Sequence, residues 1–410
     1  MRVIDVNEYY SPTGGGVRTY LDRKMAIMAA MGHELIIIAP TAQEDWVEER
    51  PGGGRIFWVK AVPLLLDRNY CMYRDGDAVI PLLDQLKPDV VETSSPWRPA
   101  FFVGEWQGDA VKVFFAHNDN MAAYPLRWFE GMASPERIER AFNWYTRRYE
   151  RFLRLYDAFV TNGPALAKRY SARGLRVDAS MPLGIQRGSF SPSLRDPALR
   201  AALLAQCGLP PEGHLLVGLG RHHPEKRWPL VIDAVERAGA DLPVGLMLLG
   251  DGPERNALAK RVADSPHIRL FRPIYDRDRF TRVLASCDAL IHGSDVEPFG
   301  LVAAEALASG LPMIVPDEGG CFELAEPSFA ETYRARDAKS ATDAIHRLFA
   351  RDQVALRAAA QGAADHVRTD EDHARDLIAY YETLVAARRA SGAVPASVAG
   401  DFGLDRQPLP

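Results

Sequence analysis

The residue types best suited to chemistry gather between Asp295 and Glu305. Glu297 and Glu305 stand eight positions apart in an otherwise apolar stretch that follows the apolar run Ala289–His292. Glu297 precedes the expected helix and Glu305 lies inside it. Eight helical residues turn through roughly 800°, about 80° past two full turns, so both carboxylates can line adjoining parts of one cleft. Between them Phe299, Gly300 and Leu301 open the helix, and free N–H groups at a helix start favour an anion. Carboxylates that accept sugar hydroxyls on either side of a phosphate seat are what a nucleotide sugar requires. Acidic residues on a helix are usually plain surface, but a stretch this apolar weakens that explanation.

Three further strand-to-helix turns carry residues of the right kind. Arg221 and Lys226 are five apart in a turn, where an Arg fork and a Lys point charge can converge on one anion. A solvated basic turn would read the same way. Gly14, Gly15 and Gly16 let the backbone approach a ligand without Cβ clashes, ahead of a helix start. A tight turn alone would also explain them. Asp251, followed by Gly252 and Pro253, can meet a ligand hydroxyl or cap the next helix.

Positioning such turns is the work of buried strands. Nearly unbroken apolar runs at Arg2–Val6, Glu34–Ala39, Arg55–Ala61, Asp89–Thr93, Lys112–Ala116 and Ala158–Thr161 suit strands covered on both faces of a parallel sheet. Helical periodicity separates several of them, at 16–31, 76–86, 135–156 and 164–172. The rhythm pauses between Gly184 and Gly213, among four prolines, and restarts with runs at 214–220, 244–250, 267–272, 289–292 and 312–316. Helices are expected at 225–238, 254–262, 276–286 and 300–309, then at 340–368 and 370–390. This alternation predicts an α/β fold of two Rossmann-like, doubly wound domains facing a cleft, with ligands beyond the carboxyl ends of the strands. The expected boundaries are 1–186 for the N-terminal domain and 187–369 for the C-terminal one. The helix near 370–390 would pack back on the former, and 391–410 would form a mobile tail.

Composition narrows the class. With 410 residues, 47% hydrophobic and 25% charged, the chain is globular and too long for one core. A net charge of −5 argues against a nucleic-acid partner. Cys71, Cys207, Cys287 and Cys321 match no metal-ligand spacing and point to a reducing compartment. No signal peptide or membrane-spanning run is visible, so the expected location is cytoplasmic, at most peripheral on the inner face of a membrane.

Taken in order, these turns resemble the retaining nucleotide-sugar glycosyltransferases of family four (glycosyl transferases group 1), which have the two-Rossmann GT-B architecture. The resemblance spans roughly 2–381, and the Glu297/Glu305 segment is its most specific part. It implies that Arg221 and Lys226 hold the donor diphosphate, Glu297 faces the donor sugar and Glu305 the ribose. Phe299, Gly300 and Leu301 would cradle the phosphate, which Gly15 or Gly16 would border from the other domain. His117, after a late strand of the first domain, matches a family His beside the transferred sugar. Cofactors are not implied: the donor is a UDP- or GDP-sugar, and no metal is required. Asp-x-Asp pairs at Asp75/Asp77, Asp276/Asp278 and Asp370/Asp372 read as ordinary turns or helix starts. The implied reaction is hexosyl transfer to a lipid or glycan acceptor, by front-face substitution with retained configuration. A nucleotide-sugar epimerase of similar architecture and a non-catalytic sugar-nucleotide-binding subunit are the alternatives.

For the acceptor, 137–156 carries two stripes. Ile138, Phe142, Tyr145, Tyr149, Phe152 and Tyr156 form a core-facing seam. Arg140, Trp144, Arg147, Arg151 and Arg154 form a basic stripe suited to anionic head groups or an acidic acceptor, or simply to water. Tyr124 and Trp128 can add an aromatic rim.

Overall fold

The structure is a computed structural model that describes residues 1–12, 16–64 and 70–391. Gly14, Gly15 and the tail beyond 391 lie outside the described residues. The chain divides into two compact units, one formed by Met1–Pro182 with the segment from Asp370 onward, the other by Leu183–Thr369.

Among the described residues, ten strands belong to the first unit: β1 (Arg2–Val6), β2 (Glu34–Thr41), β3 (Trp46–Glu49), β4 (Arg55–Lys60), β5 (Val62–Pro63), β6 (Cys71–Met72), β7 (Val90–Thr93), β8 (Val111–Ala116), β9 (Ala158–Thr161) and β10 (Ala179–Ser180). Eight of them make one sheet in the order β10-β9-β8-β7-β1-β2-β4-β3, parallel except for the edge pair β3–β4, while β5 and β6 form a separate antiparallel pair. Side-chain alternation splits the core into two layers. Ile4, Val6, Ile36 and Ile38 pack on one face with Phe114, Tyr149 and Phe152. Val3, Leu35 and Ile37 pack on the other with Leu21, Met25 and Met28 of helix Gly16–Ala30. Leu377, Tyr380, Tyr381 and Leu384 of helix Asp370–Ser391 join that second layer.

The second unit has one wholly parallel sheet of β11 (His214–Leu219), β12 (Val244–Leu249), β13 (Ile268–Phe271), β14 (Ala289–Ile291), β15 (Met313–Pro316) and β16 (Ala330–Tyr333). Its order is β13-β12-β11-β14-β15-β16. Strand order reverses between β11 and β14, and in the first unit between β1 and β7. Such switch points leave a crevice at the carboxyl edge, because the following connections depart to opposite faces.

Three expected helices are interrupted. The 135–156 segment is two helices, Pro135–Ala141 and Asn143–Leu153, separated by Phe142 at φ −97° and ψ 17°. The turn sets the Phe142 ring 5.8 Å from Phe129 while Tyr145 and Tyr149 stay inward. Arg140 therefore lies on a different helix from Trp144, Arg147 and Arg151, and Arg154 caps the second one. The 225–238 segment is a 3₁₀ turn, Pro224–Lys226, and a helix, Trp228–Ala238, joined by Arg227 at φ 49°. Pro229 sits in the first turn of that helix, where its missing N–H needs no intrahelical partner. The 340–368 segment breaks at Arg351, and Asp352 caps a fresh helix, Gln353–Ala364, by accepting from Val354 and Ala355 N–H. All four cysteines are buried free thiols. Among the described residues no helix is long and apolar enough to cross a membrane.

Candidate functional site

The crevice of the second unit is built by two neighbouring strands. β11 delivers the turn 220–226 and β14 the segment 292–297, with Leu216 beside Ala289 and Val217 beside Leu290. Where they end, Lys226 Nζ donates to Glu297 Oε2. The two side chains are only 11% and 18% exposed, so this is a sheltered ion pair rather than a solvated one. Burial alone would lower the Lys226 ammonium, yet Glu297 and then Glu225 outweigh it and hold the group above its ordinary value. Burial likewise pushes Glu297 up, and Lys226 overrides it, holding the carboxyl below the usual range. Both groups are thus charged at neutral pH.

His292 completes the cluster, its Nε2 4.0 Å from Glu297 Oε2. It is fully buried, and neither ring nitrogen has a hydrogen-bond partner among the described residues. Burial, then the nearby Lys226 charge, pushes it down to about 4, so it is neutral. Beyond Glu297 the chain turns at Gly300 into helix Leu301–Ala308. Gly300 has φ 87°, and a Cβ there would sit 2.8 Å from Cys321 N, so only glycine fits. Phe299 is buried and Leu301 half-buried at this helix start. Glu305 is half-buried on the helix, its Oε1 3.9 Å from Arg277 Nη1.

Two expectations are revised. Arg221 and Lys226 do not converge: the Arg221 side chain is 71% exposed and pairs with Glu225 Oε1 at 3.0 Å, while Lys226 turns inward. The Arg221 charge still reaches Glu297 through space and helps to hold that carboxyl down. Asp251 does not cap the following helix, which Glu254 precedes. Its Oδ1 accepts from Gly252 N–H at 2.9 Å and its Oδ2 from Arg272 Nη1 at 2.5 Å.

In the first unit, His117 follows β8. Its backbone carbonyl accepts from Asn162 Nδ2 at 3.0 Å, and its ring lies 4.6 Å from Phe115 and 5.2 Å from Tyr20. Burial, aided by Lys24 and opposed by Glu92, pushes it down to about 4, and its Nε2 is unpartnered among the described residues. Gly16 opens helix Gly16–Ala30, with no atom within 4 Å of a Cβ placed there. Beneath His117, Lys24 Nζ meets Glu92 Oε2 at 2.7 Å, and Tyr381 Oη donates to the same oxygen at 2.6 Å. Sequence reasoning missed this group. The available signals were a lysine on the apolar stripe Leu21, Met25, Met28 and a glutamate inside an apolar strand. It also gave no role to His292 or Asp295, although both flank the start of the segment that carries Glu297.

The core-facing seam is as read: Ile138, Tyr145, Tyr149, Phe152 and Tyr156 are buried and Phe142 half-buried. Arg140, Trp144, Arg147, Arg151 and Arg154 are all exposed, as are Tyr124 (47%) and Trp128 (65%), whose rings lie 5.7 Å apart.

Comparison with known proteins adds independent evidence. Residues 15–181 match the profile of a glycosyl transferase 4-like domain, and residues 213–351 that of the glycosyl transferases group 1. A GDP-mannose-dependent alpha-(1-6)-phosphatidylinositol dimannoside mannosyltransferase of Mycobacterium tuberculosis is 29% identical over 333 residues, covering 79% of this chain and 81% of its own. A GDP-mannose-dependent alpha-mannosyltransferase of the same species is 28% identical, covering 80% and 82%. In fold, the chain is similar to sucrose-phosphate synthase from Thermosynechococcus elongatus, with a TM-score of 0.72 at 18% identity, over 94% of this chain and 99% of that one.

Proposed function

Since the chain belongs to the glycosyl transferases of group 1, with the GT-B fold, and is a nucleotide-sugar glycosyltransferase, we propose that it is a retaining mannosyltransferase. In this reading it draws on a GDP-sugar and acts on a lipid-linked or glycan acceptor. The donor follows from the names of the two mycobacterial relatives, and the chemistry from one observation. A sheltered Lys226–Glu297 pair sits at the β11/β14 switch point beside the helix start at Gly300.

Lys226 offers two further N–H donors once Glu297 takes one, so a diphosphate can bind without exposing an unpaired carboxylate. Helix-start N–H groups at Gly300 and Leu301 supply partial positive charge to the same anion. As the bond from the anomeric carbon to the phosphate oxygen breaks, charge grows on the leaving diphosphate. Preorganised donors in a sheltered site contribute several kcal/mol at that moment. Glu297 keeps its charge and accepts hydrogen bonds from hydroxyls of the sugar, and Glu305 is assigned to the ribose. The acceptor oxygen bonds to the anomeric carbon on the face the phosphate leaves, and its proton passes to a phosphate oxygen. Configuration is retained, and no metal is invoked. His117, neutral throughout the physiological range, is assigned a hydrogen bond to the transferred sugar rather than proton transfer. Arg147, Arg151, Trp144 and Trp128 are assigned to an anionic membrane surface carrying the acceptor.

The test is release of GDP from GDP-mannose with and without a lipid extract. Acceptor-dependent release supports transfer; acceptor-free change of donor stereochemistry would indicate an epimerase, and binding without turnover a non-catalytic subunit. Glu297→Ala and Lys226→Ala are expected to abolish turnover in folded protein, and undiminished activity in both would overturn the assignment.

A further inference from the structure

A second charged cluster at the carboxyl edge of the second sheet takes no part in the chemistry above. Asp295 is fully buried, with Arg227 Nε 2.6 Å from its Oδ1 and Arg336 Nε 2.7 Å from its Oδ2. Burial raises its carboxyl, and the two guanidinium groups more than offset that, so it is charged. Both arginines hold left-handed backbone, at φ 49° and 66°, and among the described residues only Lys87 of the other non-glycine positions does so. Such backbone persists where surrounding contacts enforce it, and here the contact common to both is one carboxylate.

Adjacency gives the cluster its meaning. Arg227 follows Lys226 directly, and Asp295 stands two residues before Glu297. Arg336 lies three beyond Tyr333, whose hydroxyl donates to the His292 carbonyl at 2.6 Å. The salt-bridged triad therefore ties together the segments that leave β11, β14 and β16. The first two are in contact: a Cβ on Gly293 would lie 2.6 Å from the Lys226 carbonyl oxygen.

We propose that Arg227, Asp295 and Arg336 are positioning residues that set the distance and angle between Lys226 and Glu297. This rests on reading that pair as the donor site. None of the three need touch the donor; each acts through the backbone that carries Lys226 or Glu297.

Arg227→Gly is the informative variant, because glycine accepts the left-handed backbone while the guanidinium is lost. Asp295→Asn keeps the shape and removes the charge. In the full chain, both are expected to keep a cooperative thermal transition yet lose about tenfold or more in kcat/KM for the donor, since small misplacements of reacting groups are costly. Arg227→Lys should recover part of the loss. The double variant Arg227→Gly/Arg336→Gly should lose less than the product of its single losses, because both act through one carboxylate. Hydrogen exchange of 293–300 in the protein without donor should quicken in Arg227→Gly and stay unchanged in the first unit. Wild-type kinetics per folded molecule together with unchanged exchange would overturn the proposal. If wild-type protein turned over no nucleotide sugar but exchange quickened as described, the donor-site reading would fall and the positioning role would stand.

Discussion

Replacing Lys24 with Met probes the foundation on which His117 rests. The Lys24 and Glu92 side chains are 1% and 0% exposed, 2.7 Å apart, and share Glu92 Oε2 with the Tyr381 hydroxyl. Met fills most of the lysine volume, so the loss is mainly electrostatic. It leaves a carboxylate buried with one hydroxyl donor, beside Asp5, whose own carboxyl burial and then Glu92 push up to about 8. Breaking one side of a buried pair costs about 3–5 kcal/mol, because the remaining charge is stranded. In a unit of this size each kcal/mol lowers the transition by about 2–4 °C, so a fall of about 6–20 °C is expected. Calorimetry and urea unfolding of wild type, Lys24→Met and Lys24→Met/Glu92→Leu at pH 5 and pH 8 measure this. The double variant should recover most of the stability, since a well-packed apolar pair often matches a buried ion pair. A single variant that loses under about 1 kcal/mol at pH 8, or a double variant as unstable as the single, would refute the reasoning.

Acid sensitivity of the second unit should include His292. Its folded value of about 4 lies below the ordinary 6.5, so the unfolded chain takes up a proton first and stability falls as pH drops from about 6.5 toward 4. The most this one group can contribute is about 3 kcal/mol, and urea titrations should show His292→Gln with a shallower acid slope; an identical slope would count against it. Turnover of GDP-mannose should persist in excess EDTA, and a strict Mg²⁺ requirement would contradict the metal-free mechanism. Arg147→Glu/Arg151→Glu should sediment less with anionic vesicles and equally with neutral ones, and no difference from wild type would retire the membrane assignment.

The strands were legible because the chain writes them plainly. A strand buried on both faces must be apolar throughout, so Arg2–Val6, Ala158–Thr161 and Val244–Leu249 stand out from their surroundings without reference to any partner. The turns were legible for a related reason: a parallel sheet tends to put ligand-facing residues just past strand ends, so Lys226, Glu297 and His117 could be singled out as candidates from their places after strands. Helical period separated the inward from the outward residues of 138–156, but not the break at Phe142 that puts Arg140 on its own helix.

What the sequence could not announce is which of those residues would meet. Arg221 and Lys226 read as one anion-binding pair, yet the Arg221 side chain is exposed beside Glu225 while Lys226 meets Glu297. The left-handed bend at Arg227 has no local signature, since glycine is the residue expected there; its guanidinium pairs with Asp295, 68 positions away. Tyr381 reaches Glu92 across 289 positions. Period and composition act over a few residues and so determined the elements and their exposed or buried faces. Burial of charge is a property of the packed whole, and only the tertiary structure could decide which opposite charge would be there to receive it.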